Sequence, residues 1–318
     1  MKVLHISFKK SIKDGGIYFY IKKLIKYQRL NRIKTYWLST NRNGNNLRKK
    51  SLIYLVKNIN PDIIHIHGLW RKPTRLINDL NKITENIIVA PHAMFNKNQF
   101  SKSKLKKLIA LGLYERRNLE KIKYFHSLNF NESESISSFF PNKPQQIISA
   151  GTSLPEKNFD FNNSELFIKI KKQQKILLFL GRLENHKGII ELIEAWSQLS
   201  IESRKAGWVL VISGFGSLTK YVEKLSNKKN SNIIFIGQSS GEKKKHILNI
   251  SKAFILPSRG EGLPIAVLEA LSYKNMCLLT NECNLQKLFE KNIALKISKN
   301  SQNIKKVLIE LFDYSNDK

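Results

Sequence analysis

No apolar run in the 318 residues approaches the roughly 18 that a membrane-crossing helix needs, so no bilayer span is expected. Cysteine is nearly absent. Cys277 and Cys283 stand six apart with no histidine-rich segment beside them, which excludes a disulfide framework and gives no support to a zinc site. A reducing, cytoplasmic setting is expected, with no metal and no cofactor. The opening Met1–Lys10 carries an apolar stretch too short and too interrupted for a signal peptide, and reads as a first strand. Its glycine-bearing turns lack both the Gly-x-Gly-x-x-Gly fingerprint and a Walker-type Gly-Lys-Ser/Thr, which argues against a dehydrogenase or a P-loop NTPase.

Acidic residues are also scarce, 24 against 55 Lys plus Arg, for a formal charge of +31. Such an excess admits a nucleic acid, an anionic membrane surface or an anionic substrate. It is spread over lysine-rich segments alongside heavy use of Asn and Ile, so compositional bias accounts for it equally well. No RNA-binding aromatic motif, zinc finger or isolated basic tail accompanies it, and no specific nucleic-acid partner is expected.

What is present is a regular alternation of short β-rich runs with helical segments, the pattern of parallel sheets with crossover helices. The runs Val3–Phe8, Thr35–Leu38, Ile63–His67, Ile87–Ala90, Tyr124–Leu128 and Gln146–Ser149 predict strands in the first half. Ile176–Leu180, Val209–Ile212, Ile233–Ile236, Ala253–Leu256, Met276–Leu279 and Ala294–Ile297 predict them in the second. A polar stretch separates the two sets. The reading is two Rossmann-like domains, 1–156 and 176–318, joined by a linker at 157–175.

In such sheets ligands bind beyond the carboxyl ends of the strands, and three second-half loops carry residues suited to that position. Gly181–Gly188 contains Arg182 and Lys187 ahead of a helix, a pair able to share the charge of a diphosphate, or equally a solvated turn. Gly214 and Gly216 make a turn that admits close backbone approach. The third loop, Arg259-Gly260-Glu261-Gly262-Leu263-Pro264, precedes a helix whose first turn suits Pro264 and which bears Glu269. Paired carboxylates can hold the hydroxyls of a sugar and a ribose, or can serve as a helix-end charge and a solvated side chain.

Taken together, these loops resemble those of the retaining GT4-type (group 1) glycosyltransferases of the GT-B fold: Leu180-Gly181-Arg182 with Lys187-Gly188, Gly214-x-Gly216, and Glu261-Gly262-Leu263-Pro264 with Glu269 in a Glu-x7-Glu arrangement. In the first half, Gly15-Gly16 looks like the family's glycine-rich loop. Asp62–Trp70, Pro91-His92-Ala93-Met94 and Leu113–Asn118 resemble members that build bacterial surface polysaccharides.

The resemblance implies two Rossmann-like domains facing across a cleft. It also implies transfer of a sugar from a nucleoside-diphosphate donor to a glycan or lipid-linked acceptor with retention of configuration. By that analogy Arg182 and Lys187 neutralise the leaving diphosphate, Glu261 contacts donor-sugar hydroxyls and Glu269 holds the ribose. Gly15, Gly16, Gly214, Gly216, Gly262 and Leu263 line the donor, and His92 sits near the sugar. His67 is a candidate for the acceptor side; His65 and His5 read as structural, and His186 is left outside the catalytic set.

The chain departs from the family pattern in several places. Ala93 replaces the usual glycine, Arg259 adds a cation beside the donor loop, and Ser149-Ala150-Gly151-Thr152 stands in place of Pro-Asn-Gly-Val. The final helical run, Ile304–Phe312, implies a shortened C-terminal element, so an inactive partner subunit is the alternative. The basic amphipathic stretch Ser101–Lys123 is a candidate for peripheral contact with anionic lipid, or else a solvated helix face.

Overall fold

The computed structural model describes residues 1–10, 16–42, 45–101, 103–155 and 174–314. The chain divides into two compact units, Met1–Ala150 and Gly151–Lys318. Most of the expected linker, together with Gly15 and Lys102, lies outside the described residues; Lys175, expected to close the linker, opens a strand instead.

The first unit is built on β1 (Lys2–Ser7), β2 (Lys34–Ser39), a short antiparallel hairpin of β3 (Asn41–Arg42) and β4 (Asn45–Asn46), β5 (Ile63–His67), β6 (Ile87–Ala90), β7 (Tyr124–Ser127) and β8 (Gln145–Ile147). Apart from the hairpin these form one six-stranded parallel sheet ordered β2-β1-β5-β6-β7-β8. The core strands bury nearly every residue; β6 reads as a continuous apolar run, whereas β1 and β5 alternate aliphatic side chains with the buried His5, His65 and His67.

The second unit contains β9 (Lys175–Leu180), β10 (Trp208–Ser213), β11 (Ile233–Phe235), β12 (Ala253–Leu256), β13 (Met276–Leu279) and β14 (Ala294–Lys296). Their order, β11-β10-β9-β12-β13-β14, is the doubly wound arrangement in which the chain works outward from β9 on one side and then on the other. A binding crevice therefore opens between β9 and β12 at their carboxyl ends. The helix Ser301–Tyr314 closes this unit's core, with Phe312 edge-on to the buried Trp196 at 5.9 Å. Each fully buried side chain of this kind contributes about 1.5–3 kcal/mol.

The stretch expected to be one amphipathic helix is helical from Lys104 to Leu119 but contains a π-helical turn, Leu111–Glu115. That turn carries Glu115 into the core, where its carboxylate accepts from Trp70 N and Thr74 Oγ1, both at 2.8 Å. Burial pushes the Glu115 carboxyl up, and these hydrogen bonds oppose the shift. The two segments Asp62–Trp70 and Leu113–Asn118 are thus joined through one buried acid.

Candidate functional site

Loops leaving β9, β10, β12 and β13 are knitted together main chain to main chain at the carboxyl edge of the second sheet. Leu183 N donates to Phe215 O at 2.9 Å, Arg259 N to His186 O at 2.7 Å, and Glu261 N to Glu282 O at 2.9 Å. Gly214, at φ +158°, lies where a Cβ would meet Gly181 O at 1.8 Å; Gly188, at φ +72°, lies where one would meet Pro257 O at 2.1 Å. A Cβ on Gly216 would likewise meet Leu183 O, at 2.4 Å. These three glycines set the spacing of the loops.

On this frame Lys187 and Glu261, from the two loops that flank the crevice, form an ion pair at 2.5 Å with side chains 14% and 11% exposed. Glu261 precedes the helix Ile265–Ser272 and Glu269 lies on it, as the sequence reading has it. Pro264 is the N-cap rather than a first-turn residue, and because its side chain accepts nothing, the helix begins without a side-chain cap. Gly262 and Leu263 are half-buried in the same loop. Glu269 is not a freely solvated residue: its Oε1 accepts from Lys244 Nζ at 2.6 Å.

Arg182 is exposed on the first loop. It acts on Glu184, whose carboxyl is held below its usual range foremost by Ser217 Oγ at 2.7 Å and in part by Arg182 and His186. Arg259, expected at the mouth of the donor loop, pairs with Glu191 on the helix Ile189–Gln198. Cys283 is fully buried near the Lys187–Glu261 pair; burial and then the Glu261 charge push its thiol up to about 12, and Cys277 rises to a similar value. Both behave as inert core thiols at neutral pH.

In the first unit, Gly16 is exposed at the start of the helix Gly16–Leu30. His92 is half-buried after β6 and adopts φ +54°, followed by Ala93 at +61°. Two consecutive left-handed residues that are not glycine need support, and Glu132 supplies it by accepting from Ala93 N at 2.6 Å and Leu128 N at 2.8 Å. Glu132 belongs to the helix Phe130–Ser137, whose N-cap Asn129 accepts from Glu132 N at 2.9 Å. The Asn-x-x-Glu spacing of a helix start is the one sequence signal that could have drawn attention to it.

His67 is not open to solvent. It is 2% exposed and bonded on either side to His5 and His92, both at 3.0 Å. His65 and His126 complete a cluster holding five of the chain's seven histidines. Burial takes the His5 imidazole down to about 4 and His92 to about 3; His65 and His67 are lowered well below the ordinary range by burial and then by neighbouring histidines, His5 first for His65 and His65 first for His67. The cluster is neutral at pH 7. His5, His65 and His67 each bring a ring nitrogen within 4.8 Å of the others.

Two doubly wound parallel sheets in tandem, with charged loops at the switch point of the second, define a GT-B protein. Solved structures bear the fold out. WaaG, a glycosyltransferase involved in lipopolysaccharide biosynthesis, superposes with a TM-score of 0.69 at 15% identity over 99% of this chain and 91% of its own. Anabaena HepE in complex with UDP and glucose gives 0.69 at 12% identity over 99% and 91%. Residues 160–317, which make up most of the second unit, match the family of glycosyl transferases group 1. A curated relative, the putative teichuronic acid biosynthesis glycosyltransferase TuaC of Bacillus subtilis, is 34% identical over 128 residues, 40% of this chain and 30% of that protein. The aligned segments span between 27% and 59% of the curated relatives' own lengths.

Proposed function

We propose that the protein is a retaining glycosyltransferase that moves a sugar from a nucleoside-diphosphate sugar to a hydroxyl of a glycan or lipid-linked acceptor in surface-polysaccharide assembly. The observation that carries this reading is the Lys187–Glu261 pair, which sets a cation and a carboxylate 2.5 Å apart at the switch point. In this reading Lys187 and Arg182 take up the charge that grows on the diphosphate as the bond from the anomeric carbon breaks. This is the main electrostatic task of the reaction. The uncapped start of the helix Ile265–Ser272 adds its amide dipoles.

Glu261 exchanges its bond to Lys187 for donor-sugar hydroxyls and Glu269 accepts from the ribose hydroxyls, while Gly15, Gly16 and His92 are the first unit's candidate residues by family resemblance. Lys244, bonded to Glu269, is a further cation close to the nucleotide. The names of the relatives support the substrate class: HepE holds UDP and glucose, TuaC bears a polysaccharide name, and WaaG a lipopolysaccharide one.

Calorimetric titration with UDP and GDP, followed by a hydrolysis screen over UDP-, GDP- and ADP-sugars, tests the reading. One nucleoside diphosphate is expected to bind. Lys187→Met should weaken it tenfold or more, about 1.4 kcal/mol, whereas Glu261→Gln should spare the free diphosphate and weaken the intact nucleotide sugar. A folded protein that binds no nucleoside diphosphate removes the proposal.

Peripheral contact with the inner membrane face belongs to the same reading. Leu105, Ile109 and Leu113 are 73%, 53% and 76% exposed, with Lys104 and Lys106 exposed among them. An apolar stripe bordered by cations suits anionic lipid. Sedimentation with phosphatidylglycerol vesicles is expected to carry the protein down, and Leu105→Ser with Leu113→Ser to release it; equal partition into neutral vesicles would contradict the idea.

A further inference from the structure

Three histidines of the first unit lie on one face of two neighbouring parallel strands. His5 of β1 and His65 of β5 are register partners, and His67 follows His65 by the two-residue period that returns a side chain to the same face. They are 0%, 6% and 2% exposed, with ring centroids 4.2–5.4 Å apart. One nitrogen from each lies within 4.8 Å of the others. A tetrahedral ion with bonds near 2.0–2.1 Å to imidazole needs these nitrogens about 3.3 Å apart, which modest side-chain rotations reach. His5 Nδ1 and His67 Nε2 already stand at 3.0 Å.

The outer nitrogens are engaged as a metal site requires. His5 Nε2 lies 2.8 Å from Gln28 Oε1, and an amide oxygen only accepts, so His5 keeps its proton on Nε2 and turns the Nδ1 lone pair inward. Likewise His126 Nε2 donates to Ile148 O at 2.8 Å, and its Nδ1 lone pair meets His65 Nε2 at 3.3 Å. Second partners of this kind, the Gln28 amide oxygen on His5 and the His126 imidazole on His65, are what fix a ligating imidazole in its tautomer.

We propose that His5, His65 and His67 form a binding site for a borderline divalent transition ion of the zinc type, oriented by Gln28 and His126. Three imidazoles without thiolate or carboxylate favour zinc, cobalt, nickel or copper over magnesium and calcium. Without an ion the same nitrogens share protons in the chain His92–His67–His5, so the two states need no net proton loss. The proton of His67 moves from Nε2 to Nδ1, and His92 shifts its own from Nε2 to Nδ1 to accept it. The site lies wholly within the first unit and stands or falls independently of the proposed sugar transfer.

The test uses full-length, tag-free protein stripped with chelator and titrated with Co²⁺, then with Zn²⁺ in competition. Expected is uptake of one ion per chain, with the visible bands of nitrogen-coordinated tetrahedral cobalt that zinc abolishes. X-ray absorption of the zinc-loaded wild type should show imidazole scattering. Gln28→Leu should weaken binding roughly 10–100-fold and His65→Ala at least as much, while His186→Gln in the other unit leaves it unchanged. Wild-type protein that takes up no ion at micromolar concentration overturns the proposal, as does an oxygen-only absorption spectrum or binding unmoved by Gln28→Leu. If His65→Ala does not fold, the wild-type spectrum decides.

Discussion

Ala93 shows how one side chain can be at odds with its own backbone. At φ +61° a Cβ costs on the order of 1 kcal/mol relative to glycine, and the short Glu132–Ala93 hydrogen bond holds the residue there. Ala93→Gly is therefore expected to raise the stability of the first unit by about 0.5–1 kcal/mol, measured by urea unfolding followed through Trp37 and Trp70. A loss of stability would mean that the methyl group's packing outweighs the strain, since Ala93 is only 2% exposed. In the sequence this position registers as a departure from a glycine pattern. Its supporter, 39 residues away, shows in the sequence only as the Glu of an Asn-x-x-Glu helix start, with nothing to link it to Ala93.

Among the elements, the loops of the second sheet are the most constrained. Gly214→Ala would drive a methyl group into Gly181 O at 1.8 Å, a contact only main-chain movement relieves. The expected cost is about 3 kcal/mol or more, read as an early urea transition of Trp196 and Trp208 fluorescence; an unshifted transition would show that the loops separate freely. Strands such as Ile63–His67, Ala253–Leu256 and Met276–Leu279 were legible to the residue, the last two as apolar runs bounded by turn-forming or polar residues and the first by its β-branched isoleucines. The hairpin of β3 and β4 was not, since Asn-rich pairs carry no apolar pattern. The π-turn was also hidden: apolar spacing across Leu105–Leu119 fits an unbroken helix as well as a bulged one. At the candidate site, Lys187 and Glu261 were legible as loop residues. Lys244 was not, because its partnership with Glu269 crosses 25 residues between two helices.

For the whole molecule, the histidine cluster sets how stability responds to acid. His5 falls to about 4 and His92 to about 3 when folded, against 6.5 in the unfolded chain. Below pH 6.5 the unfolded state thus binds protons that the folded state refuses. Stability is lost as pH falls from 6.5 toward these folded values, by on the order of 2 kcal/mol for His5 alone between pH 7 and 5. The buried Glu115 and Glu132 carboxyls, pushed up by burial, act in the opposite sense nearer pH 4.5. The urea midpoint of the first unit is expected to drop between pH 7 and 5 by more than that of the second, where buried His246 is lowered in the same sense; equal shifts in both would place the effect outside the cluster. The second unit answers to a different design. Its loops touch through carbonyls and glycines, so Arg182, Ser217 and Arg259 hang on a frame that does not depend on their identities. Such a frame is a chassis for re-engineering: on the proposed function, donor preference is expected to change when the outward side chains are exchanged while the peptide scaffold beneath them is left untouched.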